Sequence, residues 1–252
     1  MEKTSKVIVA FLFLVLASNL TYGQLGFCLG SKGLPIFTED FGSGTGFGPQ
    51  LPAGTTSYNY VSGTPNDGDY TLSSQINLNN SWHNTQDHTP GDNNGKSLIV
   101  NASFTSGEFY KRTVTGLCVN TTFEFTAWLM NIYNSSSVGA CPGTGIPINV
   151  TFEIWDATET TLLESGSTGD INGTPNPIWE QFGLTFTTLA GQTSVVLKMK
   201  NNGVGGCGND LAIDDIMFRS CGDFTLIATG PGNDVSFTAC QDQLPTNINL
   251  NV

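Results

Sequence analysis

The segment that decides the fold reads Gly-Asn-Asp-Leu-Ala-Ile-Asp-Asp-Ile-Met-Phe and spans residues 208–218. Its isoleucines and phenylalanine favour a β-strand that carries two adjacent carboxylates, Asp214 and Asp215. Neighbouring side chains of a strand point to opposite faces, so one carboxylate should point inward or toward the sheet edge and the other outward. An inward carboxylate is costly unless it is paired, and the chain has only 9 Lys and Arg residues. We therefore expect a hard cation with oxygen ligands here, with turn capping by both aspartates as the alternative.

Composition narrows the class of protein. The chain has 252 residues, of which 12% are charged and 30 are glycine, and apolar residues recur at strand spacing throughout. This pattern is typical of an all-β extracellular protein with long polar loops. The formal net charge of −12 argues against nucleic acids and anionic membranes as partners and suits a protein that gathers divalent cations.

The N-terminus has the features of a secretory signal peptide. Lys3 and Lys6 precede a wholly apolar run at residues 7–17, and small residues stand at Thr21 and Gly23. This order predicts cleavage before residue 24, so that residues 1–23 are removed. The apolar run is too short for a membrane span. We expect a secreted or cell-surface protein with no membrane insertion after cleavage.

All six cysteines lie in the part of the chain that is predicted to be exported. They lack metal-ligand spacing, and an even number in an exported chain favours disulfides. Six cysteines allow 15 pairings, among which sequence cannot choose. Their positions in glycine-rich loops or at strand ends suggest Cys141–Cys207 and Cys118–Cys221. The six residues are Cys28, Cys118, Cys141, Cys207, Cys221 and Cys240.

Short apolar runs separated by glycine-rich turns predict an all-β, jelly-roll β-sandwich of about ten antiparallel strands in residues 24–222. Residues 77–94 form a long polar loop, and residues 223–252 are expected to begin a further β-domain or a C-terminal extension. The predicted strands before the 208–218 segment cover residues 34–41, 57–61, 70–74, 97–103, 108–114, 121–132, 147–156, 161–166, 178–187 and 193–200.

Three motifs resemble those of MAM domains, which are extracellular jelly-roll modules. They are Phe-Thr-Glu-Asp-Phe-Gly at residues 37–42, Asp-His-Thr at residues 87–89, and the Leu-Ala-Ile-Asp-Asp-Ile strand before Cys221. The resemblance spans residues 34–222 and overlaps with jelly-roll carbohydrate-binding modules, whose first and last strands share a calcium ion. The loops are also similar to those of cell-surface adhesins from gliding Bacteroidetes.

The resemblance implies a Ca²⁺ site built from the first strand, the Asp-His-Thr loop and the last strand. Carried over by position, its ligands are Glu39 or Asp40, Asp87, and Asp214 or Asp215. Calcium takes six to eight oxygen ligands, so backbone carbonyls would complete such a site. A site that joins both ends of the domain has a structural role.

Aromatic residues in or beside loops are candidates for stacking on sugar rings: Tyr58, Tyr60, Trp82 and Tyr133. Trp128 and Trp155 lie inside predicted strands and are expected in the core. His83 and His88 have no nucleophile or base beside them in a recognisable motif, so we expect no catalytic activity.

The function most consistent with the sequence is a non-enzymatic binding or adhesion module for an extracellular glycan or protein, within a larger extracellular protein. The alternative is a carbohydrate-binding module that serves a glycan-degrading enzyme, and a third possibility is a glycan-cleaving enzyme.

Overall fold

The computed structural model describes residues 25–222, which contain eleven β-strands and no helix. The predictions for residues 1–23 and 223–252 therefore lie outside the described residues. No membrane-spanning helix occurs within 25–222. The strands are β1 (Lys32–Glu39), β2 (Asn59–Tyr60), β3 (Asp69–Ser73), β4 (Ser97–Asn101), β5 (Glu108–Thr115), β6 (Thr122–Asn131), β7 (Val150–Asp156), β8 (Leu162–Ser167), β9 (Glu180–Thr187), β10 (Ser194–Asn201) and β11 (Asp210–Cys221).

The strands form two sheets. The larger has seven strands in the order β2-β3-β4-β11-β6-β9, with β1 paired to β11 as well. The smaller has four, in the order β5-β10-β7-β8. The long last strand β11 pairs with β4 through its first half and with β1 through its second half, while β6 pairs along its other edge. The segment at residues 208–218 therefore lies at the centre of the larger sheet.

The core lies between the two sheets and follows the alternation of the strands. On β6, Phe123, Phe125, Ala127 and Leu129 all belong to the main hydrophobic cluster. Phe125 meets Phe152 of the smaller sheet at a ring-centroid distance of 5.3 Å. Burying one aromatic side chain of this kind contributes about 2–3 kcal/mol, so the contacts between β6 and β7 hold the sandwich together.

The all-β sandwich predicted from the sequence is confirmed, and each predicted strand has an observed counterpart. One feature differs from the expectation that all strands are antiparallel. The short β2 pairs with β3 in parallel, with Asn59 opposite Asp69 and Tyr60 opposite Tyr70. A glycine-containing turn at residues 63–68 separates the two strands.

One of the two predicted disulfides is confirmed and the other is wrong. Cys141 is joined to Cys207, but Cys221 is joined to Cys28 rather than to Cys118. The reason is the register of β1 on β11, which places Lys32 opposite Cys221 and brings the preceding residues beside the end of the last strand. The described residues contain no free cysteine, which is consistent with an oxidising, extracellular compartment.

Candidate functional site

A β-bulge in β11 changes the direction of the two adjacent carboxylates. The pairing of β11 with β6 shifts register between Asp214 and Met217, and Asp215 has a left-handed φ of 44°. The prediction that Asp214 and Asp215 point to opposite faces was wrong, because this bulge turns both side chains to the same loop. Bulges often re-aim side chains in this way beside functional sites.

Both carboxylates bind the Asp-His-Thr loop. Asp214 is fully buried, and its Oδ2 accepts hydrogen bonds from the backbone N–H groups of His88 (2.7 Å) and Thr89 (3.2 Å). Asp215 Oδ2 lies 2.7 Å from His88 Nδ1, and its Oδ1 accepts the Thr89 hydroxyl at 2.8 Å. The last strand therefore fixes the backbone and both side chains of the loop at residues 88–89.

A second pair of carboxylates, Asp87 and Asp92, lies on either side of residues 88–89. A Cβ placed on Gly95 would collide with oxygens of both Asp87 and Asp92, so both carboxylates lie against the same glycine. Asp87 Oδ2 is buried and has no hydrogen-bond partner among the described residues. Burial, with the nearby charge of Asp92, raises the pKa of Asp87. Sequence reasoning did not select Asp92, although it lies in the same polar loop.

The aspartates of the loop and of the last strand influence one another electrostatically. Burial raises the pKa of Asp214 to about 7, and the negative charges of Asp215 and Asp87 act in the same direction. The hydrogen bonds from His88 and Asp215 N–H groups partly offset this effect. We call Asp87, Asp92, Asp214 and Asp215 the carboxylate cluster. Burial and the nearby negative charges favour a proton or a cation at Asp87 and Asp214.

The end of the first strand lies beside this cluster, but its two acids point in different directions. Glu39 faces Arg112 of the smaller sheet at 3.4 Å, and its role as a metal ligand stays a prediction. Asp40 accepts the Gly42 N–H at 2.9 Å. The next residue, Ser43, forms a β-bridge with Gly95 and so brings this segment against the loop. The structure thus brings together Asp87, Asp214 and Asp215 and leaves Glu39 apart.

The aromatic residues proposed as sugar contacts are already used inside the protein. Tyr58, Trp82 and Tyr133 are buried, which contradicts the assumption that loop aromatics are exposed. The Trp82 indole donates to Asp210 (3.1 Å), and the Tyr133 hydroxyl accepts the Cys141 N–H (3.1 Å). The half-buried Tyr60 donates its hydroxyl to the Gly48 carbonyl at 2.6 Å. These side chains position loops.

Loops cover the outer face of the larger sheet, which we call the covered face. A second hydrophobic cluster lies there, and His88 stacks on Trp128 with ring centroids 3.8 Å apart. Trp179 approaches His88 edge-on at 5.8 Å. Trp128, which was expected in the core between the sheets, instead anchors the Asp-His-Thr loop. The second cluster consists of Ile76, Trp82, Ile99, Met130, Ile132 and Ala212, with Leu78 and Trp179 packed against it.

The outer face of the smaller sheet presents an aromatic side chain among charged ones. Trp155 was expected in the core, but it is partly exposed and lies on this face because it alternates with the buried Phe152 and Ile154. Its indole donates to Glu153 at 2.6 Å, and Lys198 Nζ lies 5.2 Å from the ring centroid. Lys200 pairs with Glu153 at 3.2 Å. We call this surface the open face.

Comparison with known proteins gives fold-level resemblances only. No family model and no curated protein matches the chain. The xylan-binding domain CBM22-1 of Xyn10C from Paenibacillus barcinonensis is 11% identical, with a TM-score of 0.44, and the match covers 78% of this chain and 100% of that one. A cyclase from Fischerella sp. TAU is 13% identical, with a TM-score of 0.48, and the match covers 71% and 90%. A CBM4 structure has 13% identity, a TM-score of 0.30 and coverage of 62% and 73%. TM-scores below 0.5 carry no argument about the ligand or activity of this chain.

Proposed function

We propose that this domain is a non-enzymatic extracellular carbohydrate-binding module that binds a glycan on the open face. The observation that carries the proposal is Trp155, a partly exposed indole of β7 that is held by Glu153 and flanked by Lys198. Neighbouring strands of one sheet position all three residues. A ligand site of this kind is preformed, which reduces the entropic cost of binding.

The chemistry of the open face suits a sugar. One side of a pyranose ring exposes mainly C–H groups, which pack well against a broad aromatic surface. Its hydroxyl groups need both donors and acceptors around them, and the face offers the ammonium groups of Lys198 and Lys200 and the carboxylate of Glu153. Binding to a cell-surface glycan would also account for an adhesive role.

The charges of the open face argue for binding rather than for catalysis. Glycoside hydrolysis needs a carboxylic acid with a raised pKa beside a free carboxylate. Here Glu153 pairs with Lys200, and Glu108 pairs with Lys198 at 3.1 Å. Glu159 pairs with the same Lys198, and the hydrogen bond from that lysine lowers the pKa of Glu159. A carboxylate with a lowered pKa, such as that of Glu159, is a poor proton donor.

Calcium is the cofactor that we propose for the carboxylate cluster. The buried Asp87 Oδ2 lacks a hydrogen-bond partner and lies beside Asp92, which fits a cation between them. Within residues 25–222 no three His, Cys, Asp or Glu side chains form a ready-made cage, so backbone carbonyls would complete the shell. Asp214 and Asp215 would act by holding the loop that carries Asp87. Bound calcium would neutralise the cluster and stabilise the folded domain.

A glycan array with matched variants tests the proposed function. The wild-type domain should bind at least one class of glycan, and Trp155→Ala should weaken that binding more than tenfold, since stacking on the indole supplies much of the contact. Trp179→Phe is the control, because the Trp179 indole N–H has no partner within the described residues and the residue lies on the covered face. Absence of glycan binding, or binding that survives Trp155→Ala, would contradict the proposal.

A further inference from the structure

Two lysines of the open face stand directly opposite each other. Lys111 of β5 and Lys198 of β10 are partners in the antiparallel register. Like charges at opposed positions of a sheet repel each other and destabilise the strand pair. Lys198 is also largely buried, with a side-chain exposure of 12%. An arrangement of two close ammonium groups attracts an anion.

Glu159 supplies that anion from the turn between β7 and β8. Its Oε1 lies 3.2 Å from Lys111 Nζ, and its Oε2 lies 2.6 Å from Lys198 Nζ, so one carboxylate bridges both lysines. Glu108 completes the group at 3.1 Å from Lys198. Glu108 is the first residue of β5, whereas Glu159 reaches the lysines from a turn outside the sheet.

The backbone of Glu159 is in an unfavourable conformation for this residue type. Its φ is 56°, in the left-handed region that glycine and asparagine favour. Asp156 fixes the turn by accepting hydrogen bonds from the backbone N–H groups of Thr160 (2.8 Å) and Thr161 (3.2 Å). The turn thus directs a glutamate, where glycine would be easier, onto the two lysines. Sparsely populated conformations of this kind are frequent at ligand sites.

The lysine pair and the aromatic side chain of the proposed glycan site share one group. Lys198 Nζ contacts Glu159 and also lies over the Trp155 ring, 5.2 Å from its centroid. A sugar that stacked on the indole would therefore place a substituent beside Lys198. If Glu159 moved outward, two ammonium groups would face the single carboxylate of Glu108, and this part of the site would carry a net positive charge.

We propose that Glu159 is an internal substitute for an acidic group of the ligand, and that the glycan class is one that contains uronic acids. A sugar carboxylate replaces that of Glu159 between Lys111 and Lys198 while the sugar ring packs on Trp155. The exposed Glu159 side chain, at 36%, has room to turn toward solvent. This inference rests on the proposed function, because it assigns the ligand of the same face.

Binding of matched acidic and neutral glycans tests the inference. The probes are oligosaccharides of galacturonic, glucuronic and mannuronic acid, each compared with its methyl-esterified form, by calorimetry at low and at physiological salt. Glu159→Gln removes the competing charge and should raise the affinity for an acidic oligosaccharide about tenfold, the size of one charge-assisted hydrogen bond. The esterified form should show no such gain.

Two further variants separate this effect from a general change in charge. Glu164→Gln removes the same charge from the same sheet, at a residue that makes no ion pair within residues 25–222 and accepts the Ser165 N–H; it should leave affinity unchanged. Lys198→Met keeps the length of the side chain and should abolish the preference for acid over ester.

Three results would overturn the inference. They are equal affinity for acids and esters, no gain in affinity from Glu159→Gln, and no binding of any uronide by the wild type or by Glu159→Gln. The proposed function is judged separately. Trp155-dependent binding of neutral glycans with no response to Glu159→Gln would overturn the assignment of an acidic ligand alone. Failure of every glycan, neutral or acidic, would overturn both.

Discussion

The outer faces of the two sheets each carry a tryptophan on a strand, Trp128 on β6 and Trp155 near the end of β7, but the two residues have different surroundings. On the larger sheet, Trp128 lies under the His88 ring of the Asp-His-Thr loop at 3.8 Å. On the smaller sheet, the Trp155 indole donates to Glu153 of its own strand, and Lys198 Nζ lies 5.2 Å from its ring centroid. The difference shows that a place on a strand does not by itself determine whether an aromatic residue packs against a loop or stays partly open to solvent. The presence of a loop above the residue determines this.

The two faces also use buried carboxylates differently. Asp214 on the covered face accepts backbone N–H groups of a loop, whereas Glu153 on the open face pairs with Lys200 and the Trp155 indole. Loss of the first carboxylate leaves the N–H groups of His88 and Thr89 without their acceptor. Loss of the second leaves a lysine that is already 34% exposed. We therefore expect the covered face to control stability and the open face to control binding.

The largest expected effect is that of Asp214→Ala. It leaves the N–H groups of His88 and Thr89 without their acceptor, which should lower the free energy of unfolding by about 3 kcal/mol. Glu153→Ala is the matched control on the open face and should cost less than about 1 kcal/mol, as expected for a partly exposed ion pair. Denaturant unfolding of both variants measures the difference. Equal losses would remove the distinction between the two faces.

Calcium should act on the covered face with an effect almost as large. At free calcium a hundred times the dissociation constant, a cation that binds only the folded state stabilises it by about 2.7 kcal/mol, or roughly 5–10 °C in melting temperature for a domain of this size. Melting curves in excess calcium and in chelator measure this. Asp87→Ala should make the two curves coincide, and Glu39→Ala should not. Identical wild-type curves would refute the calcium proposal.

A smaller, pH-dependent effect should come from Asp210, which is buried on the covered face. Burial raises its pKa to about 7, while the hydrogen bond from Trp82 opposes the shift. Because the folded pKa lies above the unfolded value, its stabilising contribution is complete below about pH 4 and is lost as the pH rises through 7. Between pH 5 and 8 the wild type should lose about 2.5 kcal/mol relative to Asp210→Asn, at about 1.4 kcal/mol for each pKa unit. A difference in unfolding free energy between the wild type and Asp210→Asn that is the same at pH 5 and pH 8 would contradict this assignment.

The sequence predicted the sandwich well because strand alternation is a local property. On β6 every second residue is apolar, and those residues form the core. The same alternation on β7 could have placed Trp155 on the outer face beside Glu153, since Phe152 and Ile154 occupy the inner one. Its assignment to the core followed residue type rather than position.

The candidate site was predicted only in part, because it depends on features that alternation does not contain. The bulge at Asp215 is set by the pairing of β11 with β6, and it reverses the expected divergence from Asp214. The burial of Trp82 and Tyr133 depends on how long loops fold over the larger sheet. The ion pair of Glu39, one of the predicted metal ligands, depends on Arg112, which reaches it from the other sheet. Each is a contact between distant segments.

We propose that the open face binds the ligand and that the covered face does not. The chain has four tryptophans, so an indole ¹H–¹⁵N spectrum contains four side-chain signals, which single Trp→Phe variants assign. Titration with a glycan that the domain binds is the most direct test. We predict that the Trp155 signal shifts progressively while those of Trp82, Trp128 and Trp179 stay in place. A fixed Trp155 signal with movement of Trp128 or Trp179 would contradict the account.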